Sequence, residues 1–297
     1  PDVYTEVLKK SVRMFYYQRS GFAKTAPYAF DWTDGASHLG AQQDLDCRLV
    51  TNPVPGTSKQ LQGGWFDAGD YNKYVNFAYE PIHDLSLAYI ERPEVWTDDY
   101  NIPESGNGIP DLLDEMKWEL DWLRRMQLAN GSMLMKVSVT DFSAASPPSA
   151  DSGARRYGPA QASATRTAAS MFAIAAIAYN LSGHPAMQLY ADTLEQAARK
   201  AWYWLIANPA YSYYNNAGFS SASPEMNEYQ QSSAQVGAAV ALFALTDSIT
   251  YRNYVDDHYD EMHPIQWGFW YPWESIIQDL LLYYSALPNG TTSVKNA

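Results

Sequence analysis

Cysteine is almost absent: Cys47 is the single one in 297 residues. A lone cysteine closes no internal disulfide, so it carries no information on compartment, and it reads as a small buried hydrophobe. Long apolar runs are missing too. No stretch of about eighteen apolar residues occurs, which argues against a transmembrane helix. No secretory signal opens the chain, which starts directly at an amphipathic segment, as a mature or trimmed chain would. Positive charge is scarce. Lys and Arg number 20 against 33 Asp and Glu, a net charge of −13, and phosphate recognition needs a basic surface. A nucleic-acid partner is therefore not expected. Neither an internal repeat nor a strand-rich block is evident.

What is present is apolar and aromatic. Hydrophobic residues make up 46% of the chain, enough for a sizeable core in one large domain. The 10 Trp and 23 Tyr suit a core, and also sites with one apolar face and one wet edge.

Helical periods recur along the chain. Val3, Val7, Leu8, Val12 and Phe15 mark a helix over 2–18 that Gly21 stops. Residues 22–62 lack periodicity, and a loop of that length in a compact domain is usually functional. Further helices are expected from Tyr71 to Ile90, from Pro110 to Arg125, and from Ala164 to Tyr179. More follow from Met187 to Leu205, from Ser232 to Leu245, from Tyr251 to Tyr259, and from Trp273 to Tyr284. Gly131–Val137 reads as extended. Asp111, Asp114 and Glu115 complement the positive end of the third helix. The alanine-rich segment from Ala164 lets helices approach closely. About eight helices joined by irregular loops and short turns suggest an all-α toroid of paired helices.

The stretch Gly63-Gly64-Trp65-Phe66-Asp67-Ala68-Gly69-Asp70-Tyr71-Asn72-Lys73-Tyr74 concentrates the chemistry. Two glycines permit a sharp turn. Asp67 and Asp70, three residues apart at an apparent helix start, would face one side. Trp65, Tyr71 and Tyr74 surround them. Paired acids among flat apolar rings are what hydrolysis of a sugar chain requires. The alternative is ordinary helix-start chemistry, with Asp67 as N-cap and Asp70 in an acidic first turn.

The stretch resembles the signature of the glycoside hydrolase family 9 cellulases, Gly-Gly-Trp-x-Asp-Ala-Gly-Asp-Tyr-x-Lys-Tyr. The resemblance covers essentially the whole chain, most strongly residues 11–21, 63–74 and 104–127. It implies an (α/α)6 barrel over 1–297, with twelve helices where about eight are counted. It also implies inverting hydrolysis of β-1,4-glucans, with Asp70 as general base and Asp67 holding the same water. Two such carboxylates repel, which raises one pKa. Trp65 and Tyr74 become supports of the site, and Trp270 and Trp273 platforms for sugar rings. The family's general acid lies in a C-terminal third with no counterpart here, so the chain is expected to be an incomplete toroid. Its uncovered helices would need a second copy or a C-terminal segment. Glu228 and Glu274 are the candidate substitutes, Glu274 otherwise reading as a first-turn helix acid after Pro272.

Relatives hold zinc with two cysteines and two histidines, at positions that here are Ser20, Ser37, His38 and Phe66. That set does not make a zinc site. An Asp-Glu pair that helps bind calcium aligns with Ser233 and Ala234, close after Asn227-Glu228. No metal or other cofactor is therefore expected. The implied partner is a β-glucan outside the cell. Two other readings fit the residues: a non-catalytic glucan-binding fragment, and a different α/α-toroid enzyme such as a lyase or exo-glycosidase.

Overall fold

The computed structural model describes residues 2–141, 145–212, 216–219, 226–269 and 271–297. Among these, eight helices have ten residues or more, as the periodicity suggests. They are α1 (Val3–Gln18), α2 (Tyr79–Glu91), α3 (Asp111–Met126), α4 (Ala162–Leu181), α5 (Pro185–Ala207), α6 (Glu228–Thr246), α7 (Ile249–His258) and α9 (Ser275–Ala286). Two short ones, α8 (His263–Trp267) and α10 (Thr292–Lys295), complete the set.

Local chemistry sets the boundaries. Asp2 caps α1 by accepting the Tyr4 N–H. Pro185 opens α5, where its missing N–H is no loss. The sixth helix starts four residues earlier than its apolar pattern suggests. Asn227 and Gln230 form a reciprocal capping box there, satisfying two backbone N–H groups that the helix cannot.

The core is built around α4, which is buried on nearly every face and packs against α2, α5 and α6. Its alanines bring neighbouring backbones close, as expected of an inner helix. Gly237 of α6 serves the same purpose: a Cβ there would meet Leu280 Cδ1 of α9 at 2.7 Å and the Tyr79 hydroxyl of α2 at 3.1 Å. Leu112, Leu113, Met116, Leu120 and Leu123 of α3 are all fully buried. Cys47 is a free, buried residue as read from the sequence.

Two differences from the sequence reading bear on the site. The first is strand. Short strands β1 (Arg48–Leu49), β2 (Lys73–Tyr74), β4 (Lys136–Val139) and β5 (Arg155–Tyr157) form a sheet ordered β1-β5-β4-β2. Only the β1–β5 pair is parallel. The segments β3 (Met133–Leu134) and β6 (Ala160–Gln161) form a separate antiparallel pair. The extended stretch expected over Gly131–Val137 holds β3 and the first half of β4, whereas the other strands, of two or three residues, leave no readable alternation. The second difference is the signature itself. It does not start a helix, because α2 begins only at Tyr79. Lys73 and Tyr74 instead pair with Val137 and Lys136. The cause is the Lys73 ammonium, drawn inward to Asp44 and to the carbonyls of Leu61 and Gly63.

Not every apolar face is covered. Val3, Tyr4, Val7 and Met14 of α1 are exposed, as is Leu282 of α9. Between α2 and α9 lies an open space of about 640 Å³, lined in part by Leu87, Ile90 and Leu282. Among the described residues no helix is long and apolar enough to cross a membrane.

Candidate active site

The signature is fastened to the end of α1 and to α3. Backbone bonds run from the Ser20 N–H to the Gly64 carbonyl and from the Phe66 N–H to the Gln18 carbonyl. Gly64 adopts φ +78°, and a Cβ there would strike the Trp122 ring at 2.7 Å, so only glycine lets the chain pass over α3. Just beyond, Trp65 is held at both ends. Its backbone N–H donates to Glu119 Oε2 at 2.6 Å, and its indole Nε1 donates to Glu115 Oε1 at 2.9 Å.

These two glutamates, fully buried on α3, were not singled out in the sequence as parts of the site. Among the described residues Glu119 has no salt-bridge partner, and burial pushes its carboxyl up to about 8 against the pull of the Lys73 charge. Glu115 faces Arg19, whose guanidinium also binds Glu104 through Nη1 and Nη2. Their spacing of four marks one helix face, which was the available signal, but acids on a helix usually face water.

Asp111 and Asp114 are likewise not solvated first-turn charges. Asp111 accepts from the Tyr100 N–H and the Ser105 hydroxyl, and Asp114 accepts from Asn107 Nδ2. Burial raises Asp111 to about 6 and Asp114 to about 7. A carboxyl whose folded pKa lies above its unfolded value near about 3.9 binds extra protons in the native state. Its contribution is complete at low pH and disappears as pH rises through the folded pKa. An Asp114→Asn variant should therefore gain melting temperature relative to its parent as pH rises from about 4 to about 8. A thermal melt at each pH checks this, and a constant gap would refute it.

Past Trp65 the loop carries the two candidate acids. Tyr71 takes a left-handed φ of 61°, rare for a bulky residue, and its ring packs on Phe66 and His38 at 5.1 and 5.2 Å. Asn72, fully buried, organises the loop. Its backbone N–H and its Nδ2 donate to the two oxygens of Asp70, at 3.3 and 2.6 Å. The same Nδ2 donates to the Tyr74 hydroxyl, while its Oδ1 accepts from Ser138 Oγ and the Val139 N–H. Its carbonyl accepts from the Asp67 N–H. Asn72 thus ties both aspartates to β4. It occupies a variable position of the signature pattern, so no motif pointed to it.

Asp67 is exposed, Asp70 half-buried. The protein around Asp67 desolvates its carboxyl and the nearby Asp70 charge adds to this, raising its pKa. Asp67 shares a cavity of about 270 Å³ with Trp65, Tyr74, Phe77, Phe15 and Glu119. The structure therefore brings Trp65, Asp67 and Tyr74 to one space, with Asp70 adjoining through Asn72. Trp273 stands apart, 74% exposed, on the rim of a neighbouring cavity of about 250 Å³ that shares the Phe77 wall. Trp270 lies outside the described residues.

The four positions assigned to zinc by resemblance do gather. Ser37 Oγ accepts the Gly21 N–H, Ser20 Oγ donates to Asp44, and the His38 and Phe66 rings touch. Their donors do not fit the metal. Two hydroxyls, a phenyl ring and a histidine already bonded to Asp151 fall short of four N or S ligands. Burial, with Arg155 adding, lowers His38 to about 4, so it is a neutral hydrogen-bonding residue. Beside it, Asp44 binds both Lys73 and Arg155. At the calcium position, Ala234 is buried and Ser233 Oγ bonds the Gln230 carbonyl, a helix contact rather than an ion site. Elsewhere, His83, Asp84 and Asp279 stand close enough to share an ion. His83 Nδ1 lies 3.2 Å from Asp84 Oδ1 and, among the described residues, its buried Nε2 has no hydrogen-bond partner, while Asp84 is exposed.

The sequence profile described as "Glycosyl hydrolase family 9" matches residues 4–296. Endoglucanase D of Acetivibrio thermocellus is 32% identical over 223 residues, 74% of this chain and 34% of that protein. The xyloglucan-specific endo-beta-1,4-glucanase BoGH9A of Bacteroides ovatus is 36% identical over 149 residues, 48% of this chain and 24% of that protein. Among solved structures, a metagenome-derived family 9 endoglucanase superposes with TM-score 0.83 and 27% identity, over 99% of this chain and 52% of that one. The chain thus spans about a third and about a quarter of the length of these two curated relatives and about half of this solved structure. The fold is that of the (α/α)6 barrel enzymes, and the chain belongs to glycosyl hydrolase family 9.

Proposed function

We propose that this protein is an endo-β-1,4-glucanase that hydrolyses cellulose or a related β-glucan with inversion at the anomeric carbon. The observation that carries the reading is the Asp67–Asp70 loop. Two carboxylates project from a backbone fastened at Asn72, beside a cavity walled by Trp65 and Tyr74. In an inverting enzyme one carboxylate activates water on the face opposite the leaving group. Asp70 is the base, its oxygens oriented by Asn72. Asp67 holds the same water from the cavity side. Trp65 and Tyr74 support the sugar ring at the point of cleavage, and Trp273 stacks a ring farther along.

The named activities of the relatives support a β-1,4-glucan as substrate. A polymer of this kind is met outside the cell, so we place the enzyme there. We propose also that it works without zinc or calcium. The apolar residues left open on α1 and α9 support cover by further polypeptide, from a second copy or a C-terminal segment.

A second reading of the same aromatic-walled cavity is glucan binding without turnover. Proton NMR of cellohexaose incubated with the protein separates the readings. The expected result is an α-anomer formed first at the new reducing end. A β-anomer would exclude inversion, an unsaturated sugar would indicate a lyase, and binding without cleavage would establish the second reading.

A further inference from the structure

We propose that Glu274, braced by His263, is a sugar-hydroxyl acceptor in a second glucan subsite beside the Asp67 cavity. The inference rests on the β-glucan reading above. Glu274 does not do what its place in the sequence suggests. It stands at the N-cap of α9, yet its carboxylate caps no helix N–H. It turns instead to His263, whose Nδ1 lies 2.8 and 3.1 Å from its two oxygens.

That imidazole is itself immobilised. Its ring lies flat between Tyr229, at 3.4 Å and 9°, and Trp267, at 3.6 Å and 16°. The Tyr229 hydroxyl accepts the His263 backbone N–H at 3.0 Å. A clamped ring and a single bonded nitrogen fix the carboxylate in one orientation. A helix-end acid with only a dipole to satisfy needs none of this.

The fixed carboxylate faces the cavity of about 250 Å³ introduced above. Its lining matches a sugar ring in chemistry. Phe77 and Trp273 offer apolar faces, while Asn76, Gln230 and Ser233 offer donors and acceptors for hydroxyls. Trp273 stacks on Tyr271 at 4.4 Å and 6°, and its high exposure leaves ring surface free for a ligand. With one nitrogen contact satisfied, Glu274 keeps lone pairs for hydroxyl protons, and charge-assisted bonds of this kind are the strong ones. Because Phe77 walls both cavities, a glucan passing Asp67 can continue to Glu274.

The test is calorimetric titration of the full chain, with cellobiose and with cellohexaose. All proteins carry Asp70→Asn so that cellohexaose stays intact during the titration: that parent, and in it Glu274→Gln, Glu274→Ala and, as a control on the first cavity, Trp65→Ala. A hydrogen bond to a charged group implies about a tenfold or greater loss of cellohexaose affinity in Glu274→Ala. Glu274→Gln, which keeps one acceptor and the shape, should lose less, and cellobiose affinity should change by under about twofold in both. Cellohexaose affinity within about twofold of the parent in Glu274→Ala, while Trp65→Ala weakens it, overturns the proposal and leaves the glucan reading intact. Equal loss for both sugars with a lowered melting temperature assigns Glu274 to the scaffold, and also overturns it. A parent that binds neither sugar sinks the underlying reading instead.

Discussion

Replacing Asp70 with asparagine lowers β-1,4-glucan hydrolysis by about 10²–10⁴-fold, the usual loss when a positioned proton-transfer group is removed. The amide cannot take the proton of the attacking water, but it fits the same space. Its carbonyl oxygen can still accept from Asn72, so the loop keeps its main contact. The loss should therefore fall on kcat, with KM and melting temperature little changed. On the proposed roles Asp67→Asn should lose less, because Asp67 would orient the water without receiving its proton. Steady-state kinetics on a soluble β-1,4-gluco-oligosaccharide decides this. Equal activity of Asp70→Asn and parent would remove Asp70 as base. Asn72→Ala extends the test, since it leaves both carboxylates in place and deletes the side-chain bonds to Asp70 and to β4, leaving Asp70 only the backbone N–H. A fall in kcat there with Asp70 intact would show that orientation, and not charge alone, is required.

Much of this was legible in the residues, for physical reasons. Long amphipathic helices announce themselves through their period, and seven of the eight expected ones lie within a few residues of their place. The exception is instructive. The pattern over Tyr71–Ile90 carries helical spacing, yet its first eight residues form strand and turn, because Lys73 is drawn inward to a buried carboxylate a long way off in sequence. No local pattern encodes that ion pair. The paired acids and their aromatic setting were visible in one short string, whereas their anchors were not. Asn72 acts through bonds to β4, and Glu115 and Glu119 through bonds to Trp65. Each is a polar residue whose partner is brought to it only by the fold. Glu274 is the same case. Its position after Pro272 suits a helix start, and only the folded chain sets His263 against it.

Those anchors make the second large effect one of stability. Arg19→Ala should cost about 3–5 kcal/mol, because it strands the Glu115 carboxylate in the core. Glu115 is wholly buried, and among the described residues its hydrogen bonds beyond Arg19 reduce to the Trp65 indole. Burial already raises its pKa against the pull of Arg19, so without the guanidinium it can stay inside only as the neutral acid. Glu104, part-exposed, loses its partner too but can turn to water. The Arg19 ring contacts with Trp118, Tyr16 and Phe22 disappear as well. Pairing the change with Glu115→Gln should recover a large share of the loss, since an amide can stay buried where an unpaired carboxylate cannot. Urea denaturation of the parent, the two single variants and the double variant measures the coupling. If Arg19→Ala falls within about 1 kcal/mol of the parent, the network is a solvated surface pair in effect and does not hold the signature to α3. If the singles are costly and the double is not, the charge is the cause. In that case Trp65, which hangs from Glu115 and Glu119, should lose its fixed position in Arg19→Ala before the protein unfolds. Indole fluorescence would register this as a pre-transition slope that the double variant lacks.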